Sequence, residues 1–144
     1  MHVAGERASS LELARSLGVQ HTHSLDDLEG RPYGAVIDAT SSADAPALAT
    51  RLVDPSGRVV FIGLSGTPSL VDSRDIALKD VTAVGILSAS PGLAGAIELF
   101  ASGAVVPDTL VAEVIGLDEV ADRLEGNRGS DAGPGPKVHV DPRS

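Results

Sequence analysis

The chain carries four histidines and no cysteine, so any metal or nucleophile chemistry has few residue types to work with. His21 and His23 stand two apart in "VQHTHS", a short alternating stretch. On a strand that spacing points both imidazoles to one side, as a metal site needs. Two ligands do not make a site, however, and no cysteine or third histidine lies near them in sequence. His2 and His139 are isolated in sequence. No serine beside a base and an orienting acid can be picked out, so a Ser-His-Asp hydrolase is not indicated. "GLSGTPS" contains glycines but lacks the Lys-Ser/Thr ending of a phosphate-binding loop. The acidic groups Asp26, Asp27 and Glu29, and Asp118, Glu119 and Asp122, read as solvated faces.

Alternating strands and helices must carry whatever chemistry remains. "HVAG" reads as the end of a strand, and "SSLELARSL" (9–17) as a helix with Ser9 or Ser10 as N-cap and Gly18 as its stop. "YGAVIDAT" (33–40) is a strand and "ADAPALATRLV" (43–53) a helix closed by the turn signal "DPSG". "GRVVFIGL" (57–64) and "VTAVGIL" (81–87) are apolar strands of the kind covered on both faces. "SRDIALKD" is a short helix. "PGLAGAIELFASG" (91–103) is a helix with Leu93, Ala96, Ile97 and Phe100 on one face. "LVAEVI" (110–115) is a strand, "LDEVADRLEG" (117–126) an amphipathic helix and "KVHV" (137–140) a last strand. "GNRGSDAGPGP" between them reads as a flexible surface loop. This alternation predicts an α/β protein with a parallel sheet.

Composition sets outer bounds. The 144 residues fit one domain with a core of Val, Leu, Ile and Ala, since only two Phe and one Tyr are present and no Trp. The net charge of −9 argues against nucleic acid or an anionic membrane as partner. No apolar run approaches the roughly 18 residues of a membrane span, and no secretory leader is evident. The absence of cysteine is compatible with a reducing compartment, and the cytoplasm is the expected location.

The segments "LELARSLGV", "VIDATSS", "PSGRVVFIGL", "ALKDVTAVGI", "IELFASGAV", "LDEV" and the final "KV" resemble, in order and spacing, the C-terminal half of zinc-type, medium-chain alcohol dehydrogenases. The resemblance implies an NAD(P)-dependent oxidoreductase moving hydride between an alcohol or polyol and a nicotinamide ring. It implies a partial doubly wound, Rossmann-like sheet of order 3-2-1-4-5-6 that lacks its first strand, with a C-terminal strand-helix-strand tail. Residues 1–88 would be the remainder of the dinucleotide-binding domain. Residues 89–144 would be the helix and tail that return toward the catalytic domain. "HVAG" then corresponds to strand two. The glycine-rich pyrophosphate turn, the zinc ligands and the proton relay would belong to a part that this chain does not contain.

That expectation has a physical cost. Without the middle strand, two edges face each other across about two strand spacings, roughly 10 Å. Each buried unpaired backbone group costs about 1–3 kcal/mol. The halves must close up, an outside strand must fill the gap, or the chain is unstable.

The resemblance also assigns cofactor contacts. Gly5, at the end of strand two, is small enough to leave room for a 2′-phosphate, and Arg7 could clamp that phosphate bidentately. Glu6 would repel it, or bind the ribose of NAD instead. The balance leans to NADP. Thr40 falls on the adenosine side, where plain turn residues are as common. Gly63 and Leu64, with Ile86, Leu87 and Ser88, fall at strand carboxyl ends where relatives hold the nicotinamide carboxamide, though they would serve equally as strand-end packing. Lys137 aligns with a basic residue that approaches the pyrophosphate. No residue of this chain is assigned to catalysis or to a metal, and zinc would enter only through the N-terminal half. Two readings follow. One is a dehydrogenase fragment, inactive by itself. The other is a non-catalytic binding or assembly module that pairs with a separate N-terminal half or dimerises along the 81–87 strand.

Overall fold

The computed structural model describes residues 1–28, 30–31, 33–87 and 91–144. Two compact units are present, residues 1–11 with 19–91 and residues 12–18 with 92–144. Each is described by itself.

In the first unit, β1 (His2–Ala4) runs parallel to β2 (His21–His23), with His2 opposite His21 and Ala4 opposite His23. Helix α1 (Ala8–Ser16) follows β1 in sequence, its residues 8–11 in the first unit and 12–16 in the second. It begins one residue before the expected Ser9 cap, because the Arg7 carbonyl accepts the Ser10 and Leu11 amides at 3.1 and 3.2 Å. Gly18 ends the segment at φ 90°, as its position predicts.

The main sheet has the order β3 (Tyr33–Asp38), β4 (Val53–Phe61), β5 (Thr82–Gly85), all parallel. Among the described residues no ladder joins β1 to β3. The pairs β2-β1 and β3-β4-β5 are therefore the two sides of the doubly wound order, with no middle rung between them. The expected partial parallel sheet is present.

Helix α2 (Ala45–Leu52) and helix α3 (Ser73–Ala77) cover one face of this sheet. Ala49, Val53, Val59 and Val81 are buried there, with Val36, Phe61 and Ile76 packed on them. Val59 is fully buried, and each such side chain contributes about 1.5–3 kcal/mol. The opposite face differs from expectation. Ile37 is 65% exposed and Val84 38%, and β5 is exposed along its whole length. An unbroken apolar run signals a strand that is apolar on both sides, but it cannot supply the layer that covers the second side. In the first unit the helices packed on this sheet, α2 and α3, lie on one side of it.

The "DPSG" turn signal appears inside β4 as an irregularity. Ser56 takes φ 61° and the register to β3 shifts there. Lys79 holds this corner. Its ammonium donates to the carbonyls of Thr50, Arg51 and Val53 at 3.2, 2.8 and 3.4 Å, at the end of α2 where carbonyls lack intrahelical partners.

The second unit contains α4 (Leu93–Ala101), β6 (Val111–Ile115), α5 (Val120–Leu124) and β7 (Lys137–Val140). Strands β6 and β7 pair in parallel. The expected 117–126 helix is shorter, a tight turn over Leu117–Glu119 followed by α5. Glu113 on β6 and Arg123 on α5 meet at 2.8 Å, each side chain 13% exposed. The glycine- and proline-rich stretch before β7 is not a free loop. The Gly133 amide donates to the Ala112 carbonyl at 2.8 Å, Arg128 donates to the Gly135 carbonyl at 2.8 Å, and Gly135 is buried. A β carbon at Gly135 would lie 2.9 Å from the Ala112 amide nitrogen, so only glycine lets this segment pass over β6.

Candidate cofactor site at the carboxyl ends of the strands

In parallel α/β sheets, ligands bind outside the carboxyl ends of the strands, and the expected contacts of the first unit fall at such ends. Asp38 closes β3 and is 5% exposed. Its carbonyl accepts the Ile62 and Gly63 amides at 2.9 and 3.0 Å, while its carboxylate accepts the Thr40 amide at 2.9 Å. One residue thus ties the end of β4 to the loop leaving β3. Thr40 in turn accepts the Ser42 amide on its hydroxyl at 3.1 Å. Gly63 lies directly against the Thr40 backbone, and a β carbon there would lie 2.6 Å from the Thr40 amide nitrogen. Thr40 and Gly63 are therefore brought together, and Gly63 is required by close approach rather than by a special φ.

On the other side, the Ile86 amide donates to the Phe61 carbonyl at 2.9 Å and carries the β5 end alongside the β4 end. Residues 61–64 and 85–87 line a shallow, mostly apolar cavity of about 280 Å³. Leu64 and Leu87 stand over it 70% and 74% exposed. Gly63, Leu64, Ile86 and Leu87 are thus one constellation. Ser88 lies outside the described residues.

Gly5, Glu6 and Arg7 follow β1 at its carboxyl end. The Gly5 amide donates to the His23 carbonyl at 3.2 Å, and the position where a Gly5 side chain would begin meets only Leu11, at 3.6 Å. Glu6 and Arg7 are exposed. Lys137 opens β7 in the second unit and is exposed there.

The histidines depart from expectation. His2, isolated in sequence, lies across the β1–β2 ladder from His21 and His23. Its ring centroid is 4.7 Å from that of His21 and 5.1 Å from that of His23. Parallel pairing of two short strands makes this contact, and sequence distance could not reveal it. Among the described residues no group of three His, Cys, Asp or Glu side chains is arranged to hold a metal ion.

Asp38 is the site residue that sequence reasoning missed. Its signal is a carboxylate at the end of an apolar strand, where a charge must find backbone donors.

The cavity lining is mostly apolar. The glycine turn that would seat a diphosphate is not in the sequence.

No family model matches the sequence, and no curated protein matches it. Solved structures do. A protein from Sinorhizobium meliloti 1021, described as a zinc-binding dehydrogenase and bound to NADP, superposes with a TM-score of 0.82 at 22% identity. The match covers 98% of this chain and 44% of that one. An alcohol dehydrogenase from E. coli CFT073, described as short chain and complexed with NADH, gives 0.79 at 20% identity, over 92% of this chain and 42% of that one. The 2R,3R-butanediol dehydrogenase of Bacillus subtilis gives 0.80 at 17% identity, over 98% and 43%. This chain has the fold of part of the zinc-binding, medium-chain alcohol dehydrogenases, and it spans about two fifths of the length of the solved structures it matches.

Proposed function

We propose that this chain is the C-terminal part of an NAD(P)-dependent, zinc-type alcohol dehydrogenase, acting on an alcohol or polyol, and that it has no dehydrogenase activity by itself. One observation supports the reading: Gly63, Leu64, Ile86 and Leu87, all expected cofactor contacts, line one shallow, mostly apolar cavity at strand carboxyl ends, with Thr40 packed against Gly63. When bound, the nicotinamide ring supplies the hydride acceptor or donor, and the protein supplies its orientation.

In this reading, backbone groups at 63–64 and 86–88 hold the nicotinamide carboxamide, with Ser88 among them. Gly5 leaves space at the ribose, Arg7 pairs with a 2′-phosphate and Glu6 opposes it, which leans the preference to NADP. Lys137 is assigned to the pyrophosphate by the resemblance alone. Zinc and the proton relay come with the rest of the enzyme. The domain division near residue 88, a cytoplasmic location and a homo-oligomer remain parts of the same proposal.

The test is a thermal melt of the chain with NADPH and with NADH, run beside an alcohol oxidation assay. A ligand that binds only the folded state raises the melting temperature. A larger rise with NADPH than with NADH, and no turnover, is expected. Turnover of any alcohol by the chain alone refutes the inactive-fragment reading. A rise with neither cofactor removes the cofactor site.

A further inference from the structure

We propose that His2, His21 and His23 form an acid-released clasp that holds the β1–β2 ladder against Tyr33 at the start of β3. The inference is independent of the cofactor reading, because none of these side chains belongs to the site above.

The geometry is specific. Nδ1 of His2 and Nε2 of His23 are 2.9 Å apart, a hydrogen bond that needs one ring to donate and the other to accept. The His2 ring stacks on His21, with ring planes 16° apart. Its other neighbour is Tyr33, whose ring meets it edge to face at 5.6 Å and 83°. His2 thus brings β1 into contact with the start of β3, to which no ladder among the described residues joins it.

Protonation of both His2 and His23 removes their hydrogen bond, and charge on the stacked rings sets them against one another. With both His2 and His23 charged, two donors face each other at 2.9 Å. A charged His21 adds like-charge repulsion against the stacked ring. The other charges acting on His2 are the Met1 amino group and Arg31, both cationic. Asp26 and Asp27 lie on the turn after β2, where the Asp27 carboxylate accepts the Ser24 hydroxyl at 2.7 Å. His2 accordingly lies below the ordinary imidazole value of 6.5, through desolvation first and then through His21, His23, the amino group and Arg31. A depressed value means that the open form binds the proton more tightly. The clasp is complete above about pH 6.5 and weakens as pH falls below it.

Tyr33 is the only tyrosine and there is no tryptophan, so intrinsic tyrosine emission comes from this residue alone. The experiment is a titration of the full chain from pH 8 to 5, following tyrosine emission and amide exchange. Exchange at Ala4 and Gly5 is expected to accelerate several-fold beyond its intrinsic pH dependence as pH falls below about 6.5. Exchange at Val60, in the main sheet, is expected to stay unchanged. In His2→Phe, which keeps a ring and removes the charge, both responses are expected to vanish. A flat titration, an unchanged response in His2→Phe, or parallel loosening at Val60 would each overturn the clasp, the last by showing general acid unfolding.

Discussion

Gly63 runs against the backbone of Thr40 so closely that a β carbon on Gly63 would overlap the Thr40 carbonyl oxygen. The contact joins the end of β4 to the loop leaving β3, with Asp38 bonded to both. Neither partner can yield cheaply, because both are backbone. Gly63→Ala is expected to lower stability by about 1–3 kcal/mol, the usual cost of overpacking. Gly66, which has nothing within 4 Å of its would-be side chain, is the control, and Gly66→Ala is expected to stay within about 0.5 kcal/mol. Urea midpoints of the two variants decide it.

The one-sided cover of the main sheet separates two substitutions on neighbouring strands. Val59 is fully buried on the helix side, so Val59→Ala is expected to cost about 2 kcal/mol in lost transfer energy and cavity. Ile37, 65% exposed on the other side, is expected to tolerate Ile37→Thr within about 0.5 kcal/mol. Equal costs in denaturant unfolding would mean that something covers the Ile37 face.

Lys79 supplies donors to three carbonyls at the end of α2. Lys79→Met keeps the apolar stem and removes the donors, and is expected to cost about 1–2 kcal/mol. The Ser56 amide donates to the Lys79 carbonyl at 2.6 Å, a main-chain bond that the variant retains. Loss is therefore expected in the last turn of α2, seen as faster amide exchange there, while the Ser56 corner persists.

Asp72 caps α3, accepting the Arg74 amide at 2.9 Å, and its carboxylate also takes the Arg74 guanidinium. The Arg74 side chain, followed by the amide, holds its pKa down to about 2. A depressed carboxyl contributes stability that is present above its unfolded value of 3.8 and is lost as pH falls through about 2. Asp72→Asn keeps a cap acceptor but has no such dependence. The gap in melting temperature between the natural protein and the variant is expected to be small at pH 5, since the pair is exposed, and to close between pH 4 and pH 2. A constant gap across that range would show that Asp72 acts without its charge.

Much of the fold was legible because local signals agreed with it. "KVHV" became β7 over the same four residues, and "SRDIALKD" and "YGAVIDAT" yielded α3 and β3. The split between β2-β1 and β3-β4-β5 followed from recognising which rung was missing, a matter of order rather than propensity. What stayed hidden depends on contacts distant in sequence. His2 meets His23 only through strand pairing across 21 positions. The buried role of Gly135 depends on β6 passing beneath it. The open face of Ile37 and Val84 could not be read at all, because an apolar residue in the sequence states a preference for cover and not its presence. At the site, Gly63, Leu64, Ile86 and Leu87 were legible as strand ends, whereas the organising part of Asp38 needed the hydrogen bonds.

A sheet that wets one face also alters how the protein responds to temperature. Unfolding such a sheet newly hydrates less hydrocarbon than unfolding a two-sided one, so its heat-capacity increment falls below the common value of about 12–15 cal/mol/K per residue. A smaller increment flattens the dome of free energy against temperature. The molecule then has a low, broad optimum, with little curvature and a gradual approach to its melting point.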